Sequence, residues 1–122
     1  HNENFRSVLG TATEGHPPVR EYRVEITNGD HPITKGAKDF VVTDEQHYMT
    51  YDGEPAHVLM RSVNDDGETF KELGTTCEAG WAFDYGKGRV CYLAPGHLIP
   101  VLWNPEYVKI QQNAVRWLLR EI

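Results

Sequence analysis

"DYGKGRVCYLAPGH", residues 84–97, carries the clearest fold signal in the chain. Gly86 and Gly88 predict a tight turn there, because glycine adopts positive φ without steric cost. The residues on either side of the turn are apolar or aromatic, so 77–94 is predicted to be a β-hairpin. Its second strand looks buried and leads through a Pro-Gly pair to a histidine, His97. That histidine is either a structural loop residue or a side chain that the strand presents.

The C-terminal stretch gives the second strong signal. Asn104 is a good N-cap, and Pro105 fits the first helical position. Apolar residues then recur at helical spacing up to the last residue, which predicts a long helix packed on a sheet. Strands are predicted at 20–27, 40–43 and 56–63, and a short helix is predicted to end at Gly10. This mixture indicates the α/β class.

Composition limits the classes of protein that this chain can represent. Its 122 residues fit one domain, and its formal net charge of −6 argues against a nucleic-acid-binding surface. No apolar run approaches the ~18 residues that a membrane helix needs. Cys77 and Cys91 have neither disulfide-framework nor metal-motif spacing, so they are interpreted as ordinary buried thiols. The compartment stays open between the cytoplasm and the periplasm or secretion.

Histidines and one acidic pair are the candidate catalytic groups. No two histidines have the H-x-x-x-H spacing of a local metal motif, so any metal site must combine distant segments. Glu45 directly follows the predicted strand 40–43 and is a candidate general acid or base, with a solvated acidic loop as the alternative. Tyr48 is either a hydroxyl donor to the same place or a core residue. His97 lies in a loop at a strand end, where sites of α/β proteins often occur. His16 is a candidate because two prolines hold its loop rigid, with a structural histidine as the alternative.

The other histidines have structural interpretations. His31 in "DHPIT" is interpreted as part of a turn, His57 as an edge or surface residue, and His47 as a structural residue. The chain has no G-x-S-x-G elbow, and "GKG" lacks the spacing of a phosphate-binding loop. Nucleophilic hydrolase chemistry therefore has little support.

The second strand of the predicted hairpin needs apolar cover on both of its faces. "RVCYLA" is apolar on both sides, and such a strand needs cover on two faces. One long helix covers only one face. We therefore expect part of the domain, or a partner chain, to lie outside this sequence.

Five motifs taken together resemble the ThuA-like family, which is named for trehalose utilisation. They are "GHPP", "DHPITKG…DF", "TDEQHY", "YGKGRVCYLAPGH" and "NPEYVKIQQNAVRW". Their order and spacing agree with the family over nearly the whole chain. Each motif is weak alone, and the resemblance rests on finding all five in order.

The resemblance implies a fold similar to class I glutamine amidotransferases. The expectation is a single domain over 1–122, forming part of a doubly wound, mostly parallel, flavodoxin-like sheet with the hairpin and the long C-terminal helix. The family's domain is roughly twice this length, so the chain resembles its C-terminal half without the N-terminal strands. Glutaminase activity is not expected, because the elbow position would be His1 or Asn2 and no acid follows His97 by two residues.

The resemblance also implies carbohydrate utilisation, of trehalose or a related disaccharide. The expected activity is acid–base or metal-assisted chemistry on a sugar derivative. The implied residues are Glu45 and His97 as catalytic groups, His16, Tyr48 and Trp103 for substrate binding, and His1, Glu45 and His97 as ligands of a divalent metal such as zinc. The implied partners are a small carbohydrate and either a second copy of the chain or the missing N-terminal half, with no nucleic acid and no membrane.

Two alternatives stay open at this point. The first is a non-catalytic carbohydrate-binding or regulatory module, in which Trp81, Trp103 and Tyr48 stack on sugar rings and the histidines are structural. The second is a chain that has lost its site and forms only an assembly surface.

Overall fold

The computed structural model describes residues 2–67 and 70–122, which form two β-sheets and two α-helices. The helices are α1 (Glu3–Leu9) and α2 (Pro105–Leu118). The strands are β1 (Thr11–Gly15), β2 (Arg20–Ile26), β3 (Phe40–Asp44), β4 (Tyr48–Tyr51), β5 (Val58–Val63), β6 (Thr76–Tyr85) and β7 (Gly88–Leu93). Short 3-10 turns cover Pro55–His57 and Ile99–Trp103.

The sheet topology differs from the expected one. Five strands form one sheet in the order β3-β2-β5-β6-β7, and β1 pairs with β4 in a second sheet. Every strand pairing within the described residues is antiparallel, so the prediction of a doubly wound, mostly parallel sheet is wrong. The physical reason lies in the connections: a parallel pair needs a crossover, usually a helix. Here α1 precedes all the described strands and α2 follows them, so neither helix joins two strands.

The local signals at the hairpin and the last helix are confirmed. Tyr85 pairs with Gly88 across a two-residue turn, and Gly86 has the positive φ of +57° that the turn requires. The Asn104 side chain accepts hydrogen bonds from two backbone N–H groups in the first turn of α2. One expectation about the hairpin needs correction, because β7 is an edge strand whose residues after Gly88 are only half-buried.

The five-stranded sheet has a core on each face. Residues of α2 and of the sheet share the larger core, which includes Tyr22, Val24, Phe40, Val42, Leu59, Met60, Tyr107, Ile110, Ala114 and Trp117. The smaller core is centred on Trp81, which is fully buried and donates from its indole N–H to the Leu9 carbonyl at 2.9 Å. The cover around Trp81 thus includes α1 and the two-stranded sheet of this same chain.

The two cysteines are free thiols with restricted access to solvent. Cys77 is buried and Cys91 is half-buried, and neither is in a disulfide. Burial raises the pKa of the Cys91 thiol to about 12, which makes it an inert side chain at neutral pH. Within residues 2–67 and 70–122, no helix has the length and apolar character needed to cross a bilayer.

Candidate functional site

The chain passes from the five-stranded sheet to the two-stranded sheet between β3 and β4, and this passage positions two polar side chains. Asp44 and Gln46 are completely buried, and Tyr48 is 1% exposed. Glu45 and His47 alternate with them and are less buried. Since residues i and i+2 of an extended chain point to the same side, Glu45 and His47 share one face.

The register of the two-stranded sheet brings His16 to the same place. Gly15 ends β1 and is the register partner of Tyr48, so the next residue, His16, lies beside His47. The two imidazole rings meet edge to face with their centroids 5.0 Å apart. His16 Nε2 is 3.3 Å from Glu45 Oε2.

His97 reaches this group from a third segment, the loop after β7. Its Nδ1 lies 3.3 Å from Glu45 Oε2, and His47 Nε2 lies 3.4 Å from the same oxygen. Three imidazole nitrogens therefore surround a single carboxylate oxygen. We call Glu45, His16, His47 and His97 the Glu45 cluster.

Exposure is graded across the Glu45 cluster. The Glu45 side chain is 14% exposed, His47 26%, His16 36% and His97 55%. Glu45 is thus the most shielded member of the cluster, and His97 is the most accessible one. A ligand can approach the cluster from solvent while the carboxylate stays largely shielded from water.

The Nδ1 nitrogen of His16 has a backbone partner. His16 Nδ1 is 2.8 Å from the Pro17 carbonyl oxygen, and only an N–H can donate there. In a neutral ring of this tautomer, Nε2 is the nitrogen that can accept a proton, and it lies 3.3 Å from Glu45 Oε2.

His47 supplies a neutral imidazole to the same cluster. Burial and the neighbouring His16 lower the pKa of His47 below its ordinary value of 6.5, against the opposing influence of Glu45 and Asp44. The ring is therefore unprotonated at neutral pH. The cluster therefore places a neutral imidazole close to a carboxylate, and both kinds of group serve in acid–base catalysis.

The lowered pKa of His47 predicts how folding stability depends on pH. The unfolded chain takes up a proton at His47 near pH ~6.5, and the folded chain does so only at lower pH. Acidification through this window therefore lowers the free energy of unfolding. Urea unfolding at several pH values is expected to show a weaker acid loss for His47→Gln than for the unaltered protein. An equal acid loss in both would contradict the assignment, and His57→Gln is the matched control.

Tyr48 and Trp103, two other predicted site residues, are not members of the Glu45 cluster. Tyr48 is buried and donates its hydroxyl to the Gly74 carbonyl at 2.8 Å, which places it in the core. Trp103 is 73% exposed and lines a shallow groove of about 310 Å³ along β3 with Val41. His1 lies outside the described residues. The catalytic roles of Glu45 and His97 remain predictions, although their side chains are in contact.

Metal ligation has chemical but not geometric support. Imidazole and carboxylate are common zinc ligands. Among residues 2–67 and 70–122, however, no three or more His, Cys, Asp or Glu side chains are arranged to hold a metal ion. The expected triad of His1, Glu45 and His97 includes a residue outside this range.

His47 was interpreted from the sequence as a structural residue, but its side chain belongs to the Glu45 cluster. The signal for it was present in "TDEQHY", where alternating residues point to opposite sides once the segment is extended. His31 was interpreted as a turn residue, and its Nδ1 does accept the Ile33 backbone N–H at 3.1 Å.

A cavity of about 650 Å³ is lined by residues outside the Glu45 cluster. Its polar lining includes Arg61 and Glu78, which are paired with each other at 2.9 Å, together with Thr27 and Asn28. It contains no converging set of titratable side chains. The chemistry therefore favours the Glu45 cluster as the candidate site.

The Glu45 cluster lies in a part of the chain that matches a known protein family. No curated protein matches the chain. A family model described as "ThuA: Trehalose utilisation" matches residues 1–118, which include every described member of the Glu45 cluster. Because the match covers nearly the whole chain, this protein belongs to the ThuA family, whose function is related to trehalose utilisation.

Proposed function

We propose that the protein acts on a carbohydrate derivative, trehalose or a related disaccharide, by proton transfer at the Glu45 cluster. The observation that supports this is the contact of three imidazole nitrogens with Glu45 Oε2 at 3.3–3.4 Å. Such a cluster accepts a proton at one position and donates one at another. A keto-sugar is a suitable substrate, because its reaction needs both transfers.

The proposed step is proton abstraction next to the sugar carbonyl. Glu45 accepts the proton from the carbon α to the carbonyl, and the C–H electron pair becomes the new C=C bond. The carbonyl π pair takes a proton from the His97 imidazolium, which gives an enediol. Return of a proton to either carbon regenerates a keto- or aldo-sugar, so no other reactant is required.

The structure weakens the argument for a purely binding module. Of the three aromatic residues proposed as stacking platforms, Trp81 is fully buried and Tyr48 is 1% exposed. Of these three residues, Trp103 alone exposes its ring enough to stack on a sugar. A catalytic carbohydrate site is the better explanation for the polar Glu45 cluster.

A divalent metal such as zinc is a second proposal for the same site. The donors are suitable, and two ligands of one tetrahedral zinc ion would lie roughly 3.4 Å apart, given bonds of ~2.0–2.1 Å. A bound metal would polarise the sugar carbonyl. The described side chains contact one another without a metal-site arrangement, so they would have to rearrange around the ion.

Hydrogen exchange in D₂O tests the proposed function. We expect the protein to introduce deuterium at the carbon next to the carbonyl of a keto derivative of trehalose, detected by loss of the proton signal in NMR. Unoxidised trehalose should show no exchange. Loss of exchange on chelation and recovery with zinc would support the metal proposal, and insensitivity to chelation would contradict it. No exchange above buffer, with or without zinc, would overturn the proposed function.

A further inference from the structure

The loop that carries His97 is attached to β3 by a buried carboxylate. Asp44 has no exposed surface, and its Oδ2 accepts the Gly96 backbone N–H at 2.8 Å. Its Oδ1 accepts the Leu98 N–H at 3.0 Å, and the His97 N–H makes a longer contact with Oδ2 at 3.4 Å. Backbone groups on both sides of His97 are thus fixed to one side chain.

The loop has the shape that these contacts require. Gly96 has φ +141°, a conformation that side chains disfavour, and a Cβ there would lie 3.0 Å from Leu102 Cδ2. The Tyr107 hydroxyl of α2 donates to the Pro95 carbonyl at 2.7 Å. The loop is therefore held from β3 on one side and from α2 on the other.

A buried carboxylate needs strong partners to offset its lost hydration. Charge-assisted hydrogen bonds to backbone N–H groups are among the strongest in proteins, and Asp44 makes two short ones to this loop. Asp44 ends β3 and Glu45 follows it directly, so two adjacent residues supply carboxylates with opposite orientations. One is fixed inside, and the other faces the imidazoles.

We propose that Asp44 is the positioning residue of the site: it fixes the 96–98 loop so that His97 Nδ1 reaches Glu45. Its importance for catalysis rests on the proposed function, whereas its control of the loop does not. The acid–base geometry then depends on a residue that contacts no substrate. A change at Asp44 should alter the His97 imidazole without removing any group of the Glu45 cluster.

The test is Asp44→Asn, which conserves shape and removes the charge and one acceptor. Loss of hydrogen bonds to a charged group should speed amide hydrogen exchange at Gly96 and Leu98 by at least ~10-fold. At a pH where the His97 ring is neutral, the contact of Nδ1 with Glu45 should favour the Nδ1–H tautomer in the unaltered protein. ¹⁵N NMR should show a weaker preference for this tautomer in Asp44→Asn. A role confined to overall stability would not change the tautomer.

Asp39→Asn is the matched control. Asp39 immediately precedes β3, and its carboxylate accepts a single backbone N–H, that of Ile26, at 2.8 Å. The Asp39→Asn substitution therefore removes a hydrogen bond between a carboxylate and a backbone N–H, but at the start of β3 instead of its end. Amide exchange at Gly96 and Leu98 should be unchanged. Native-like exchange and a native-like His97 tautomer in Asp44→Asn would overturn the proposal.

Glu45→Gln separates this inference from the proposed function. It should alter the His97 tautomer while leaving the amides of Gly96 and Leu98 protected. If it leaves sugar exchange unchanged, the proposed function fails and the role of Asp44 in the loop stands. If Asp44→Asn does not fold, a measurement on the unaltered protein tests the proposal instead. NMR should detect scalar coupling from the amide nitrogens of Gly96 and Leu98, across their hydrogen bonds, to the Asp44 carboxyl carbon. Absence of that coupling would overturn the proposal.

Discussion

Glu45→Gln is expected to slow deuterium exchange into the keto-disaccharide by about 10²–10⁴-fold, the usual contribution of a general acid–base group. Glutamine conserves the size of the side chain but cannot accept the substrate proton. Because three imidazoles contact the same carboxylate oxygen, the substitution also removes the group that unites the site. The exchange rate at saturating sugar measures the effect.

The chain contains a matched control for this substitution. Glu54 Oε2 lies 4.0 Å from His57 Nε2, and the Glu54 side chain is 80% exposed. Glu54→Gln removes a Glu–His contact of the same type and should leave the exchange rate unchanged. A loss smaller than about tenfold in Glu45→Gln, or an equal loss in both variants, would contradict the catalytic role of Glu45.

Trp81→Ala is expected to cause the largest loss of folding stability, about 3–5 kcal/mol in the free energy of unfolding. The indole is fully buried, and its ring stacks on Tyr92 with centroids 4.6 Å apart and lies against Tyr51 at 4.7 Å. Its N–H also donates to the Leu9 carbonyl. Removing it leaves a cavity between β6 and the elements that cover it. Urea unfolding followed by far-ultraviolet circular dichroism measures the change.

Trp103→Ala is the control for that loss. Trp103 is 73% exposed, so the same truncation should change the free energy of unfolding by no more than ~0.5 kcal/mol. Equal losses in the two variants would show that Trp81 does not organise the smaller core.

Local sequence signals predicted several elements because each depends on only a few neighbouring residues. Asn104 followed by Pro105 predicts the start of α2 through N-cap chemistry, and the structure begins the helix there. Gly86 supplies the positive φ of the hairpin turn between β6 and β7. These elements could be assigned before any long-range contact was known.

Strand direction could not be predicted in the same way. It depends on which distant segments pair, and the resemblance to the family implied parallel pairs. In the structure β2 lies between β3 and β5, both antiparallel to it. Nothing in the alternating pattern of 20–27 distinguishes the two directions, because side chains alternate in both.

The candidate site was predictable in part. Glu45 and His97 were identified from their places at strand ends, and they lie in contact. His47 and Asp44 were harder to identify, because their roles depend on which side of the β3–β4 passage faces the core. Tyr48 was a candidate for substrate binding for the same reason, but the alternation of side chains along this segment directs it into the core.

Binding of the sugar at the Glu45 cluster is tested most directly by NMR of the protein with ¹⁵N-labelled histidine. A keto derivative of trehalose is added stepwise while the imidazole signals are followed. The account predicts that His16, His47 and His97 shift together with one dissociation constant, while His31 and His57 do not shift. Unchanged signals for the three clustered histidines at saturating sugar would contradict it.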